Sequence, residues 1–181
     1  MIEAIETAIL EKLKEDAKNK KSVLSMIEIE RCPEDAASRL LDASTGSVWI
    51  HYAETAPSEP QGIYSAMQND TLTFDLDVIT RNLRSGRDAI TVDDVGAYAV
   101  MGRVRFVLTG FQPVESAQPM YMAKAGLTTA GDGFWHYTMR FIVKVPYFAE
   151  KDEPEMPPAK KVTWQDKPDN KHFTIPPEEE L

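Results

Sequence analysis

Asp75 and Asp77 are the residues of this chain whose type and spacing come closest to chemistry. Side chains alternate along a strand, so an Asp-x-Asp pair sends both carboxylates to one face, where they could hold a divalent cation. The competing interpretation, which the surrounding pattern favours, is a solvated strand face meeting Arg140 and Lys144 on the last strand, since opposite charges across a sheet help to fix register. Of the three histidines, His51 and His136 fall in expected strands and His172 near the C-terminus. None forms an HxH, HxxxH or HExxH cluster, so no zinc site is indicated. Cys32 precedes Pro33 at an expected helix start, where a helix dipole can lower a thiol pKa. With no histidine close in sequence, a buried or inert thiol is the better expectation. As the single cysteine, it also excludes an internal disulfide and any multi-cysteine zinc site.

Other motifs resolve into structure. Gly131-Asp132-Gly133 is followed by strand-like residues where a phosphate loop needs a helix, so it is a turn. The stripe through Tyr98, Met101 and Val104 is core packing before it is a cofactor box. The three tryptophans and six tyrosines do not alternate with basic residues, so no stacking platform for single-stranded nucleic acid is suggested. No catalytic residue, cofactor or metal is assigned, and binding or assembly become the leading classes.

The elements that must position these residues follow from periodicity. Ile2, Ile5, Ile9 and Leu13 at spacings of three and four predict an amphipathic helix over 1–18. A short strand is expected over 23–29, then a helix from Pro33 carrying Leu40 and Leu41, with Gly46 to stop it. Val48, Trp49, Ile50 and Tyr52 predict an interior strand over 47–55, followed by a loop over 56–69. Next comes the clearest alternation: Leu72, Phe74, Leu76 and Val78 on one side, and Thr71, Thr73, Asp75 and Asp77 on a side expected to be wet.

After a break at 81–87, a helical stripe predicts a second long helix over 92–108, begun by Asp93 and Asp94 and closed by Gly110. A hairpin follows, with strands over 120–127 and 134–145, a turn over 128–133, and Pro146 ending the pairing. The expected fold class is α/β of the α+β kind: a mixed, largely antiparallel sheet of about four to five strands, two long helices on one face, and an extended C-terminal arm.

Composition agrees with one core and an appendage. Hydrophobic residues make up 43% and charged residues 27%, so residues 1–149 can fold as one α/β domain. Residues 150–181 are acidic and hold six of the 12 prolines with no sustained period, so they are expected to form an arm that cannot build its own core. Trp164 and Phe173 are spaced along it like anchors for docking on a neighbour. The interface candidates are therefore Thr73, Asp75, Asp77, Arg140 and Lys144 on the sheet, with Trp164 and Phe173 on the arm. Twenty basic against 29 acidic residues give a net charge of −9, the wrong sign for gripping phosphates along one face. No apolar run approaches the ~18 residues of a membrane span, and Glu3 and Glu6 sit where a signal peptide would be apolar, so a cytosolic location without membrane partners is expected.

Four segments carry a resemblance: MIEAIETAILEKL (1–13), TFDLDVITRNLR (73–84), VRFVLTG (104–110) and WHYTMRF (135–141). Together with the element order, they resemble the tail terminator family of Mu-like contractile-tailed bacteriophages and prophages over residues 1–149. The resemblance implies a non-enzymatic structural protein of the virion tail, assembled in the host cytoplasm, that forms a homohexameric ring. Its implied partners are further copies of itself, tail tube and sheath proteins, and head–tail connector proteins. DNA would pass through the channel without specific binding. Two alternatives remain: another ring-forming completion or connector protein, and a small enzyme with an interface site built from Asp75, Asp77 and His136.

Overall fold

A computed structural model describes residues 1–36, 39, 46–59, 67–82, 95–131, 134–148, 163–165 and 172–174. They fall into two compact units, Met1–Phe148 and Ala149–Leu181. The first is α+β. Helix α1 (Ile2–Ala17) buries Ile5, Ile9 and Leu13, the stripe that the spacing predicts. Strand β1 (Glu28–Arg31) runs parallel to β2 (Ser47–Pro57). β3 (Met67–Thr80) follows, then helix α2 (Ala97–Leu108), β4 (Tyr121–Gly131) and β5 (Phe134–Phe148). The sheet order is β1-β2-β3-β5-β4, and every pairing except β1 with β2 is antiparallel. Among the described residues no helix is long and apolar enough to cross a membrane.

Both helices contribute to one core with the sheet. Ile5, Ile9 and Leu13 of α1 and Val100, Val104 and Leu108 of α2 cluster with Val48, Ile50, Leu72, Phe74, Leu76, Val78, Met139, Phe141 and Val143. The Arg103 guanidinium adds a polar tie between the helices by donating to both oxygens of Asp16, which also accepts from the Ser22 hydroxyl. The Arg103 hydrogen bonds hold the Asp16 carboxyl below the usual range against the opposing effect of burial. Gly110, at φ 83, takes the left-handed conformation that ends the chain's run after α2, and its N–H donates to the Met120 carbonyl.

Several boundaries differ from expectation. Residues 23–26 form a 3-10 turn (Val23–Met26) in place of the start of a strand, because the Ser22 side chain accepts from Leu24 N–H and fixes a local cap. The helix expected from Pro33 lies mostly outside the described residues, although 36 and 39 are helical. Gly46 stands directly before β2, and a Cβ there would lie 3.0 Å from Ile27 Cγ2, so close approach is what it permits.

The loop expected over 56–69 is shorter at both ends, since β2 runs to Pro57 and β3 starts at Met67. Helix α2 begins at Ala97, later than expected, while Asp93 and Asp94 lie outside the described residues. β4 continues to Gly131, so the hairpin connection shrinks to residues 132 and 133, which also lie outside them. Thr128 and Thr129 are β-branched strand formers, and the Thr128 hydroxyl shares a 2.7 Å hydrogen bond with Thr138 across the ladder.

Pro146 does not end the pairing. It sits opposite Asn69 within a β3–β5 ladder that continues to Phe148. β4 pairs with β5 only from Ile142 toward the hairpin, and Gln118 N–H donates to the Lys144 carbonyl, so among the described residues Pro146 lies past the last backbone partner on that side and a missing N–H is tolerated. The face expected to be wet is not fully so: Thr73 and Asp75 are buried, as are Trp49 and Ile79.

The second unit holds two short antiparallel strands, β6 (Thr163–Gln165) and β7 (His172–Thr174), with Trp164 paired to Phe173 in register. This pairing within the arm was not expected from its composition.

Phe74 is fully buried on β3 and meets Tyr52 edge to face at 5.9 Å between ring centroids. Phe74→Ala should lower the unfolding free energy by about 3–5 kcal/mol, read as a shift in the urea midpoint with the slope unchanged.

Candidate functional site

The polar residues singled out by sequence meet on the sheet face opposite the helix core. Antiparallel register sets His51 opposite Asp75, and Trp49 opposite Asp77, between β2 and β3. On the other side of β3, Asp75 stands opposite Arg140, Asp77 opposite Thr138, and Ile79 opposite His136. Opposed side chains share a face, so two carboxylates, two imidazoles, a hydroxyl and a guanidinium are gathered over three strands.

Asp75 and Arg140 form a forked pair. Arg140 Nε donates to Asp75 Oδ1 at 2.9 Å and its terminal nitrogen to Oδ2 at 2.9 Å. A second terminal nitrogen lies 3.6 Å from Glu54 Oε1, a partner that the sequence reading missed. The Asp75 hydrogen bonds and charge raise the Arg140 pKa, leaving the guanidinium permanently charged. This is the cross-strand pairing expected of Asp75. Lys144 does not share it, because the register sets Lys144 opposite Thr71. Thr73 is buried opposite Ile142.

Asp77 is the centre of a second group. The Thr138 hydroxyl donates to Oδ1 at 2.6 Å, His136 Nε2 lies 3.0 Å from Oδ1, and His51 Nδ1 lies 3.7 Å from Oδ2. The His136 approach is close, but its ring nitrogen is not aligned as a hydrogen bond, and the His51 and Trp49 ring nitrogens also have no hydrogen-bond partner. Burial raises the Asp77 pKa, but proximity to His136 and the Thr138 hydrogen bond outweigh it and hold the carboxyl below its ordinary 3.8. Period-two alternation on both strands, once the antiparallel register is known, is the signal that would have joined His51 to Asp77. The shared hydroxyl pair Thr128–Thr138 had no comparable signal.

The arrangement offers little for nucleophilic chemistry. The Thr138 hydroxyl donates to Asp77, but the lowered Asp77 pKa makes that carboxylate a weak base for removing the hydroxyl proton. The Cys32 thiol is pushed up by burial and then by the charges of Asp77, Glu30 and Glu6, opposite to what a reactive thiolate needs. Asp75, Asp77 and His136 therefore converge only in part: Asp77 meets His136, while Asp75 is held by Arg140. Among the described residues no group of three or more His, Cys, Asp or Glu side chains could hold a metal ion.

Since folding depresses the Asp77 pKa, its carboxylate stabilises the fold fully above about pH 4, and that contribution is lost as the pH falls through the lowered value. Asp77→Asn should cost about 1–3 kcal/mol near neutral pH. It should also flatten the loss of stability on acidification below about pH 4, as measured by urea midpoints across that range.

Comparison with known proteins adds the family. No curated protein matches the chain. Among solved structures, a chain from the virion of a native gene transfer agent (GTA) particle is similar at 11% identity and a TM-score of 0.43, covering 75% of this chain and 92% of that one. Residues 19–166 match the family model described as Gp37 protein, a span from the end of α1 through β6 that takes in the whole sheet. The chain belongs to the Gp37 protein family.

Proposed function

We propose that the chain is a structural protein of a phage-type virion. Its copies join at their sheet borders into a ring that caps the completed tail tube, stops subunit addition and offers a surface to the head connector. The resemblance of residues 1–149 to tail terminators supports this reading, and one structural observation carries it. β4, 11 residues long, ends the sheet, and among the described residues no strand lies on its outer side. An unpaired edge of that length is a template for another chain, and a heterologous contact closes into a ring when the rotation per subunit fits. The hexamer, the sheath contact and assembly in the host cytoplasm belong to the same proposal. At −9 per copy, the assembled ring would carry a large negative charge, which opposes retention of DNA passing through its channel.

A ring-forming completion or connector protein would use the same edge but bind heads first. The enzyme alternative would rest on the 3.0 Å approach of His136 to Asp77, but the only hydroxyl there among the described residues faces a weakly basic carboxylate, and the Cys32 thiol is pushed away from thiolate.

Tails assembled without the protein should vary in length and fail to join capsids, and adding purified protein should restore both, as scored by electron microscopy. Uniform tails that join normally in its absence would overturn the proposal, and preferential binding to empty heads over tail tubes would favour the connector alternative.

A further inference from the structure

The β4 edge is bordered by a groove that the ring proposal leaves without an occupant. A cavity of about 250 Å³ lies between α2 and β4, lined by Tyr98, Met101, Met122, Ala125 and Met139. Leu127, on the same side of β4 as Ala125, is half exposed. A Cβ built on Gly102 would meet nothing within 4 Å, so the space over α2 is open. Methionine side chains are flexible and polarizable, which suits a groove that admits a side chain from elsewhere. An apolar groove beside a free strand edge is the arrangement that accepts an added strand: backbone hydrogen bonds supply affinity, and the groove selects the side chain.

Charge narrows the occupant. Neither α2 nor β4 contains an acidic residue, and the exposed Arg105 of α2 lines the groove. Residues 150–181 carry nine acidic residues against five lysines. The same arm holds the extended strands β6 and β7, with Trp164 and Phe173 at one register position. The 13 residues between Phe148 and Val162 can span about 45 Å when extended.

We propose that the groove between α2 and β4 receives the acidic C-terminal arm of a second copy, whose β6–β7 pair extends the sheet at the β4 edge and brings Trp164 to the groove. The inference rests on the reading of the chain as self-associating. It makes each copy both donor and acceptor, and donor and acceptor surfaces that differ give the head-to-tail contact from which rings are built.

The test uses the full chain with a photo-crosslinking p-benzoylphenylalanine in place of Trp164, mixed with isotopically heavy protein and irradiated alone and on tail tubes. The expected result is light-to-heavy cross-links to peptides containing Met101 or Met122, reduced about tenfold by Gly102→Glu in the acceptor copy. That substitution fills open space on an exposed helix face with a charge of the arm's own sign, and glutamate favours helix over glycine, so the fold is retained. Cross-links confined to one copy, or to another surface of the second copy, would overturn the inference. If mass measurement shows assemblies that yield no link at the groove, the arm proposal falls while the ring stands. If no assembly forms in solution or on tubes, both fall.

Discussion

Leu72, Phe74, Leu76 and Val78 lie on the middle strand of the sheet, packed in one core with α1 and α2. Their period is two, so a slip of one residue in β3 would turn all four toward the opposite face and bring Thr73, Asp75 and Asp77 inward. Burying each such side chain is worth about 1.5–3 kcal/mol. The set together therefore rivals the entire stability of a small domain, about 5–15 kcal/mol. No register shifted by an odd number of residues could compensate. Once the facing of β3 is fixed, its neighbours β2 and β5 must present their apolar faces to the same side, which puts His51, Thr138 and Arg140 on the face of the aspartates.

The charged face has a different role from the core. A partly buried aspartate such as Asp75 is costly to desolvate, and its forked pairing with Arg140 recovers that cost more than it adds stability. What the pair does supply is discrimination. With β5 shifted by two residues the apolar faces would still match, but Asp75 would lose its fork and be left buried opposite an uncharged residue or a misplaced one. Hydrophobic alternation cannot distinguish registers that differ by two, and a charge pair can. Asp77 with Thr138 and His136 repeats the constraint one step along the same ladder. This accounts for a polar cluster that gathers titratable groups without arranging a nucleophile among them.

Legibility in the sequence followed the range of the interactions. The α1 stripe, the β3 alternation and the apolar face of β5 from Tyr137 to Val145 could be read because a single element specifies them through its own period. The opposition of Asp75 and Arg140 was also readable, since charge complementarity points across a sheet even before the register is known. Lys144 falls on the same face but opposite Thr71, since without register the sequence does not say which cation of the facing strand meets which aspartate. The errors at Ser22, Pro146 and Thr128 arise where a local rule meets a neighbour that the sequence does not name. A serine cap displaced a strand, an absent partner strand made a proline harmless, and a cross-strand hydroxyl pair prolonged β4.

The two borders of the sheet are not equivalent, and the difference matters for assembly. β1 is four residues long and its ladder is parallel, so it offers a short border. β4 offers 11 residues, with a single charged side chain, Lys124, to discourage pairing. Natural edges are usually blunted by charge, proline or brevity because an open edge aggregates. A long border with one charge is tolerable in a protein whose partner is supplied in a fixed orientation, since pairing then consumes the edge instead of propagating it. A sheet with one short and one long border cannot form an isologous β4–β4 contact and still present that edge to a neighbour around a ring. Closure requires the long border to meet a different surface of the next copy. The two borders therefore present different lengths of backbone, and an added strand would gain more hydrogen bonds along β4 than along β1.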